Sequence, residues 1–298
     1  MGSIADQRIA GAPISWGVCE VPGWGLELPP ERVLREMATL GLGATELGPV
    51  GYLPEDPEQT RGLLDRFGLR LVAGFVPVVL HDVAARAASL EEAGATARRM
   101  RAAGAELFVS AIVVDPGWSP RVELDTDAWH VLLEGLELLT RTVEDAGLAH
   151  VLHPHVGTLV EQEHEVRRVL EDSEVDFCLD SGHLVIGGTD PVRFANEAGD
   201  RVRHVHLKDV DGSVAARFNA GELSLVEAVQ HGLFVRLGEG VARVEETVSA
   251  LGSRGYDGWY VLEQDVALTD GEPAAGTGPV TEVRRNLDHL RVLLAEGR

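Results

Sequence analysis

Histidines and carboxylates recur where short apolar runs of this chain end. His153 and His155 close the run 149–155. Asp180 closes 175–180, with His183 three residues on. His204 and His206 lie in 202–208 with Lys208 beyond them, and Glu263 closes 258–263. Glu46 ends an earlier run, and His81 follows another. Removing that many charged and imidazole groups from water is unfavourable unless they pair or bind something. Mixed imidazole and carboxylate donors are the donors of a divalent metal. Taking one donor from each of four consecutive runs gives His153, Asp180, His206 and Glu263. Two imidazoles with two carboxylates suit manganese or cobalt foremost, with iron, zinc or magnesium as alternatives. Neither cysteine joins this set, which argues against a structural zinc. Asp180, followed by Ser181 and Gly182, also reads as a helix N-cap. His130, His150, His164, His231 and His289 read as solvated residues of helices, helix ends or loops.

The elements that must hold these residues alternate regularly. Runs at 9–16, 43–47, 69–79, 106–114, 149–155, 175–180, 202–208 and 258–263 read as strands. Amphipathic stretches at 30–40, 56–67, 87–103, 125–146, 161–170, 191–198, 243–251 and 281–295 read as the helices between them. Eight strand–helix units favour an α/β chain folded as a single (β/α)8 barrel domain over 1–298. A doubly wound sheet would show a glycine-rich phosphate turn after its first strand, where this chain reads Ser-Trp-Gly-Val-Cys. In a barrel all strand C-termini face one mouth, so the residues above converge although they are far apart in sequence. Within the seventh strand, His204, His206 and Lys208 share a face. His206, nearer the mouth, takes the metal, and His204 looks down into the barrel. The stretches 210–240 and 266–279 are longer than simple connections and are candidates for a lid or a subunit contact.

The net charge is −22, from 48 acidic and 26 basic residues. Such a surface repels nucleic-acid backbones and anionic membranes, and leaves a small neutral or metal-bound substrate. Lys208 is the only lysine; every other basic residue is arginine. A lysine can shed its proton when buried and an arginine cannot. The two cysteines, Cys19 and Cys178, form no CxxC pair and suit a reducing compartment. Without an apolar leader or an 18-residue apolar window, the expected location is the cytoplasm.

Six stretches carry a resemblance. They are Ala-Pro-Ile-Ser-Trp-Gly-Val-Cys-Glu-Val-Pro-Gly-Trp-Gly (12–25), Ala-Thr-Glu-Leu-Gly-Pro (44–49), Phe-Val-Pro-Val-Val-Leu-His-Asp (75–82), His-Pro-His-Val-Gly-Thr (153–158), Leu-Asp-Ser-Gly-His-Leu (179–184) and His-Val-His-Leu-Lys-Asp (204–209). In these the chain resembles the xylose-isomerase-like barrels (sugar isomerases, epimerases and endonuclease IV) and, within them, the inosose dehydratase family. The last two stretches mark the superfamily, whereas 12–25 and 75–82 mark the narrower group. The resemblance implies metal ligands on strands five to eight, which fall on the same four residues. His153 stands where sugar epimerases carry glutamate, so their symmetric glutamate pair is lost, as in the dehydratases. Pro154 departs from the His-His-His more usual in that group.

The implied activity is loss of water from a cyclic polyol ketone such as 2-keto-myo-inositol (scyllo-inosose), a step of inositol catabolism. Ketose epimerisation, aldose–ketose isomerisation and β-elimination of a 3-keto-glycoside are the alternatives on this scaffold. A non-catalytic sugar-binding barrel fits less well, because no ligand position is lost to an apolar residue. Glu263, His155 or His183 is the candidate base. Lys208 or a metal-linked histidine is the candidate acid, with the lysine pKa lowered by burial beside a cation. Trp16 and Trp24 are candidates to stack on the substrate ring, Glu46 to bind its hydroxyls or pair with an arginine, and His81 to join that set. Relatives commonly oligomerise, so a homo-oligomer is expected.

Overall fold

The computed structural model describes residues 8–19, 21 and 23–296. The N-terminal residues read above for a leader, and Glu20 and Pro22 of the 12–25 stretch, lie outside the described residues. The strands are β1 (Ile9–Gly11), β2 (Ala44–Glu46), β3 (Arg70–Val78), β4 (Leu107–Ile112), β5 (Ala149–Leu152), β6 (Asp176–Asp180), β7 (Val202–Leu207), β8 (Asp209–Val210), β9 (Phe234–Val235) and β10 (Trp259–Leu262). Eight of them, β1 to β7 and β10, close into a parallel barrel with helices between, the architecture expected from the alternation. No described helix is long and apolar enough to cross a membrane.

Strand and helix ends follow local chemistry. β1 stops early because Pro13 starts a 3-10 turn (Pro13–Trp16) that ends on Gly17 at φ +83°. β5 stops at Leu152, before Pro154, which has no N–H to give a ladder. The Ala/Arg-rich helix starts at Val83, earlier than the apolar pattern suggests, because the Asp82 carboxylate accepts the Ala84 N–H. Asp56, Asp125, Asp190 and Asp211 cap other helices in the same way.

The two long stretches are ordered around the mouth. Residues 209–242 form an antiparallel ribbon, β8 against β9, and two short helices, Gly212–Asn219 and Leu225–Gln230. The Asp209 carboxylate ties this excursion down by accepting N–H groups of Val210, Gly238, Gly240 and Ala242. The segment after β10 is stitched to the segment after β1: Trp24 Nε1 donates to Val266 O (2.8 Å) and Leu26 N to Leu268 O (3.0 Å). A Cβ on Gly25 would lie 2.7 Å from the Leu268 nitrogen, so this close approach requires glycine.

Inside the barrel, Ala10, Ala44, Val72, Val109, Val151, Trp259 and Val261 form an apolar plug. Strand register sets polar residues into and above it. His204 lies beside Cys178 and Trp259, and one layer nearer the mouth His206 lies beside Asp180 and Val261. Same-face neighbours on parallel strands make such layers.

Candidate active site and metal centre

Four carboxylate and imidazole groups gather at Asp180, the last residue of β6. Its two oxygens do different work. Oδ1 accepts the Gly182 and His183 N–H groups (both 2.8 Å) and so caps the short helix Ser181–Ile186. Oδ2 is buried and has no hydrogen-bond partner. It lies 3.5 Å from His153 Nε2 and 3.7 Å from His206 Nδ1, and His206 Nδ1 lies 3.2 Å from Glu263 Oε2. The N-cap and the ligand readings of Asp180 are thus compatible, one oxygen for each. The four residues do not form one compact tetrad. They fall in two triads that share Asp180: His153 pairs there with a fifth residue, His183, and His206 with Glu263.

Proton bookkeeping identifies which atoms carry lone pairs. Carbonyl and carboxylate oxygens only accept, so a ring nitrogen facing one must donate. His153 Nδ1 donates to Pro154 O (2.9 Å), which leaves a lone pair on Nε2, toward Asp180. His204 Nε2 and His206 Nε2 both donate to Glu46 Oε1, at 2.7 and 3.0 Å. The two Nδ1 atoms are both buried and make no hydrogen bond. Burial opposes a charge on His206, but Cys178, Glu263 and Glu46 outweigh it and hold the ring well above its ordinary value, so Nδ1 keeps its proton toward Glu263 Oε2 and could ligate only where a cation displaces that proton. The Lys208 ammonium, 2.7 Å from Glu263 Oε2 and 3.6 Å from Asp180 Oδ2, offsets part of the carboxylate charge gathered here. Ligand bonds of about 2.1 Å in a tetrahedral shell place neighbouring donors about 3.4 Å apart, within the 3.2–3.7 Å spread observed. The donor set fits a divalent metal.

Glu46 has a role different from the one expected. It is 3% exposed and meets neither solvent nor an arginine. Burial opposes its charge, yet His206 and the two imidazole hydrogen bonds hold its carboxyl well below the usual range. Its hydrogen bonds fix the orientation of the His204 and His206 rings, the position a carboxylate takes in a carboxylate–histidine–metal triad if His206 holds a metal. Glu46→Gln should weaken metal binding about 10- to 100-fold and leave substrate KM at saturating metal unchanged. An unchanged metal affinity with a raised KM would return Glu46 to the substrate.

Residues 34–292 match the family model described as xylose isomerase-like TIM barrel. An inosose dehydratase of Geobacillus kaustophilus (strain HTA426) is 32% identical over 278 residues, 88% of this chain and 89% of that protein. The chain belongs to the xylose isomerase-like TIM barrel family, in its inosose dehydratase branch. Solved structures share the fold at lower identity. An L-ribulose 3-epimerase superposes with TM-score 0.72 at 16% identity over 98% of this chain and 95% of that one. The IolI protein with a bound zinc atom superposes with TM-score 0.71 at 14% identity over 98% and 99%.

Around this family's barrel mouth the remaining expected residues separate. His155 and His183 stack on each other, with ring centroids 3.8 Å apart. His155 Nδ1 donates to Val156 O (2.7 Å), so Nε2 keeps a lone pair. His183 does the reverse: its Nδ1 accepts the Val156 N–H (3.3 Å), so in the neutral ring Nε2 carries the proton and cannot ligate. Burial, then the neighbouring His153, pushes His155 down to about 3; burial and His155 push His183 well below its ordinary value. Both rings are neutral at pH 7.

Lys208 reverses its expected shift. Burial disfavours its charge, but Asp265 (2.8 Å), Glu263 (2.7 Å) and Asp180 (3.6 Å) outweigh burial and hold the ammonium well above its usual range. Trp16 does not offer a stacking face. It is fully buried in the core and donates its indole N–H to Glu36 Oε2 (2.8 Å). Trp24 is 4% exposed and holds the roof through Val266. His81 is half-buried and makes neither a ring contact nor an ion pair with the cluster.

Several site residues escaped sequence reasoning. Asp265, on the post-strand segment after Glu263, is the nearest partner of Lys208 after Glu263 itself; burial raises it to about 6 against the pull of that lysine. Phe75 and Trp118 wall the side of His155, at ring distances of 5.4 and 5.9 Å. Trp118 holds φ +55°, uncommon outside glycine. Asp115 fixes that turn by accepting the Gly117 N–H with its side chain and the Trp118 N–H with its carbonyl. A tryptophan following Pro-Gly after strand four was the available signal.

His150 is not solvated. It lies on the outer face of β5, 3% exposed, with Ser110 Oγ and Thr140 Oγ1 each 2.7 Å from a ring nitrogen. Burial pushes it down to about 3 from an ordinary 6.5. Its contribution to stability is therefore complete above about pH 6.5 and is lost as pH falls toward 3, because the unfolded chain binds the proton first. Between pH 7 and 5 this one group should remove about 2 kcal/mol. His150→Gln should show a correspondingly smaller loss in denaturant titrations at the two pH values. An equal loss in both proteins would exclude His150 as a source.

Proposed function

We propose that this chain is a hydro-lyase that removes water from a cyclic polyol ketone of the inosose type. The observation that carries the reading is the opposed protonation of two stacked histidines beside the donor cluster: a lone pair on His155 Nε2 and a proton on His183 Nε2. The dehydratase relatives supply the reaction class. His155, neutral by burial, takes the proton from the carbon next to the ketone. His183 Nε2–H and the Lys208 ammonium donate to the β-hydroxyl, which departs as water while a carbon–carbon double bond forms. A divalent cation held by His153, Asp180, His206 and Glu263 would supply a Lewis acid for negative charge growing on the ketone oxygen. Manganese or cobalt is the proposed ion, since two imidazoles with two carboxylates are of intermediate hardness. Phe75 and Trp118 offer an apolar wall to the C–H face of the ring.

The deciding experiment is turnover of scyllo-inosose by protein reconstituted with Mn2+ or Co2+, followed by the ultraviolet absorbance of the unsaturated product. Metal-dependent turnover that chelator removes is the expected result. Silence with metal fully bound would exclude this substrate and move the reading to another keto-sugar.

A further inference from the structure

One buried side chain beneath the site belongs to no role described above. Cys178 is 0% exposed and lies on the inward face of β6, one layer below Asp180. Its Sγ, a ring nitrogen of His153 and a ring nitrogen of His206 all lie within 4.8 Å of one another. His206 Nδ1 is itself buried and unpartnered. Neither cysteine stands among the strand-end donors along the chain, but the fold brings this one to two of the candidate ligands. The trio keeps both imidazoles of the carboxylate site and exchanges two hard oxygens for one soft sulfur. Glu46, held by His204 and His206, adds negative charge at the same depth.

We propose that the barrel axis offers one cation two alternative positions. The outer position uses Asp180 and Glu263 and suits hard ions such as Mn2+. The inner position uses Cys178, His153 and His206 and takes thiophilic ions such as Cd2+ and Zn2+. Binding there forms a metal–sulfur bond and releases the thiol proton to solvent. An ion drawn inward leaves the outer carboxylates, so thiophilic metals bind without supporting turnover. The proposal rests on donor geometry and stands whether or not the substrate is an inosose.

Titration of the purified chain with Cd2+ tests it. The expected result is a thiolate-to-cadmium charge-transfer band that saturates at one ion per chain. Cys178→Ser should lose the band and weaken Cd2+ binding, while its Mn2+ affinity, read by electron paramagnetic resonance, stays that of the unaltered chain. Cys19→Ser should keep the band. Bound Cd2+ without a band, or a band that survives Cys178→Ser, overturns the proposal. Should the serine variant not fold, X-ray absorption of the Zn2+-loaded unaltered chain decides: a sulfur shell near ~2.3 Å supports the inner position, and an all-nitrogen-and-oxygen shell overturns it. Absent turnover with the band intact would instead count against the dehydratase reading alone.

Discussion

Asp180→Asn should abolish tight metal binding and lower turnover on the order of a thousandfold or more, while the barrel stays folded. The substitution separates the two jobs of this side chain. Asparagine keeps an oxygen where Oδ1 caps Gly182 and His183, so the short helix after β6 keeps its start. It places an amide nitrogen where Oδ2 faces His153 and His206. A donor there cannot ligate. Removing a Lewis acid worth about 4 kcal/mol of transition-state stabilisation gives the expected rate loss. Two measurements check it. Metal content should fall to background, and Mn2+ should raise the melting temperature of the unaltered chain but not of the variant, since only the former binds the ligand in its folded state. Retained metal at full stoichiometry would remove Asp180 from the ligand set.

His155→Gln should lower kcat about 10^2- to 10^4-fold with metal stoichiometry unchanged. Glutamine occupies much of the same volume against Phe75 and Trp118 but cannot take a proton. The fixed Nδ1 donation to Val156 is what dedicates Nε2 of His155 to that role. His183→Gln offers the contrast: its amide can still donate, so a smaller loss is expected there. Equal losses in both variants, or loss of metal in His155→Gln, would show that the pair acts through packing rather than through opposed protonation.

Much of this site was legible in the chain because barrels impose a simple rule. Polar residues at the ends of parallel strands meet at one mouth, so His153, Asp180, His206 and Glu263 could be grouped without coordinates. Three features lay beyond that rule. Glu46 ends β2, across the barrel from β7, and nothing in sequence spacing says that its oxygen is shared by His204 and His206. Trp16 ends a run that reads as a strand and offers a ring to the substrate, but Pro13 turns the chain and buries the indole against Glu36. Lys208 was expected to lose basicity by burial. Asp265, contributed from the segment after β10, reverses the sign together with Glu263.

The sequence by itself determined the alternation and the closed barrel, because these follow from local periodicity and chain order, and chain order grouped the four strand-end donors as candidates. Tertiary structure alone decided which atom of each donor is free. A tautomer is set by the group at the ring's other nitrogen, and those groups come from Pro154 beside His153, Val156 beside His155 and Glu46 on a distant strand. It also decided that Cys178 lies beside two of the candidate donors, since register between β6 and β7, and not position along the chain, brings a buried thiol to the same two imidazoles.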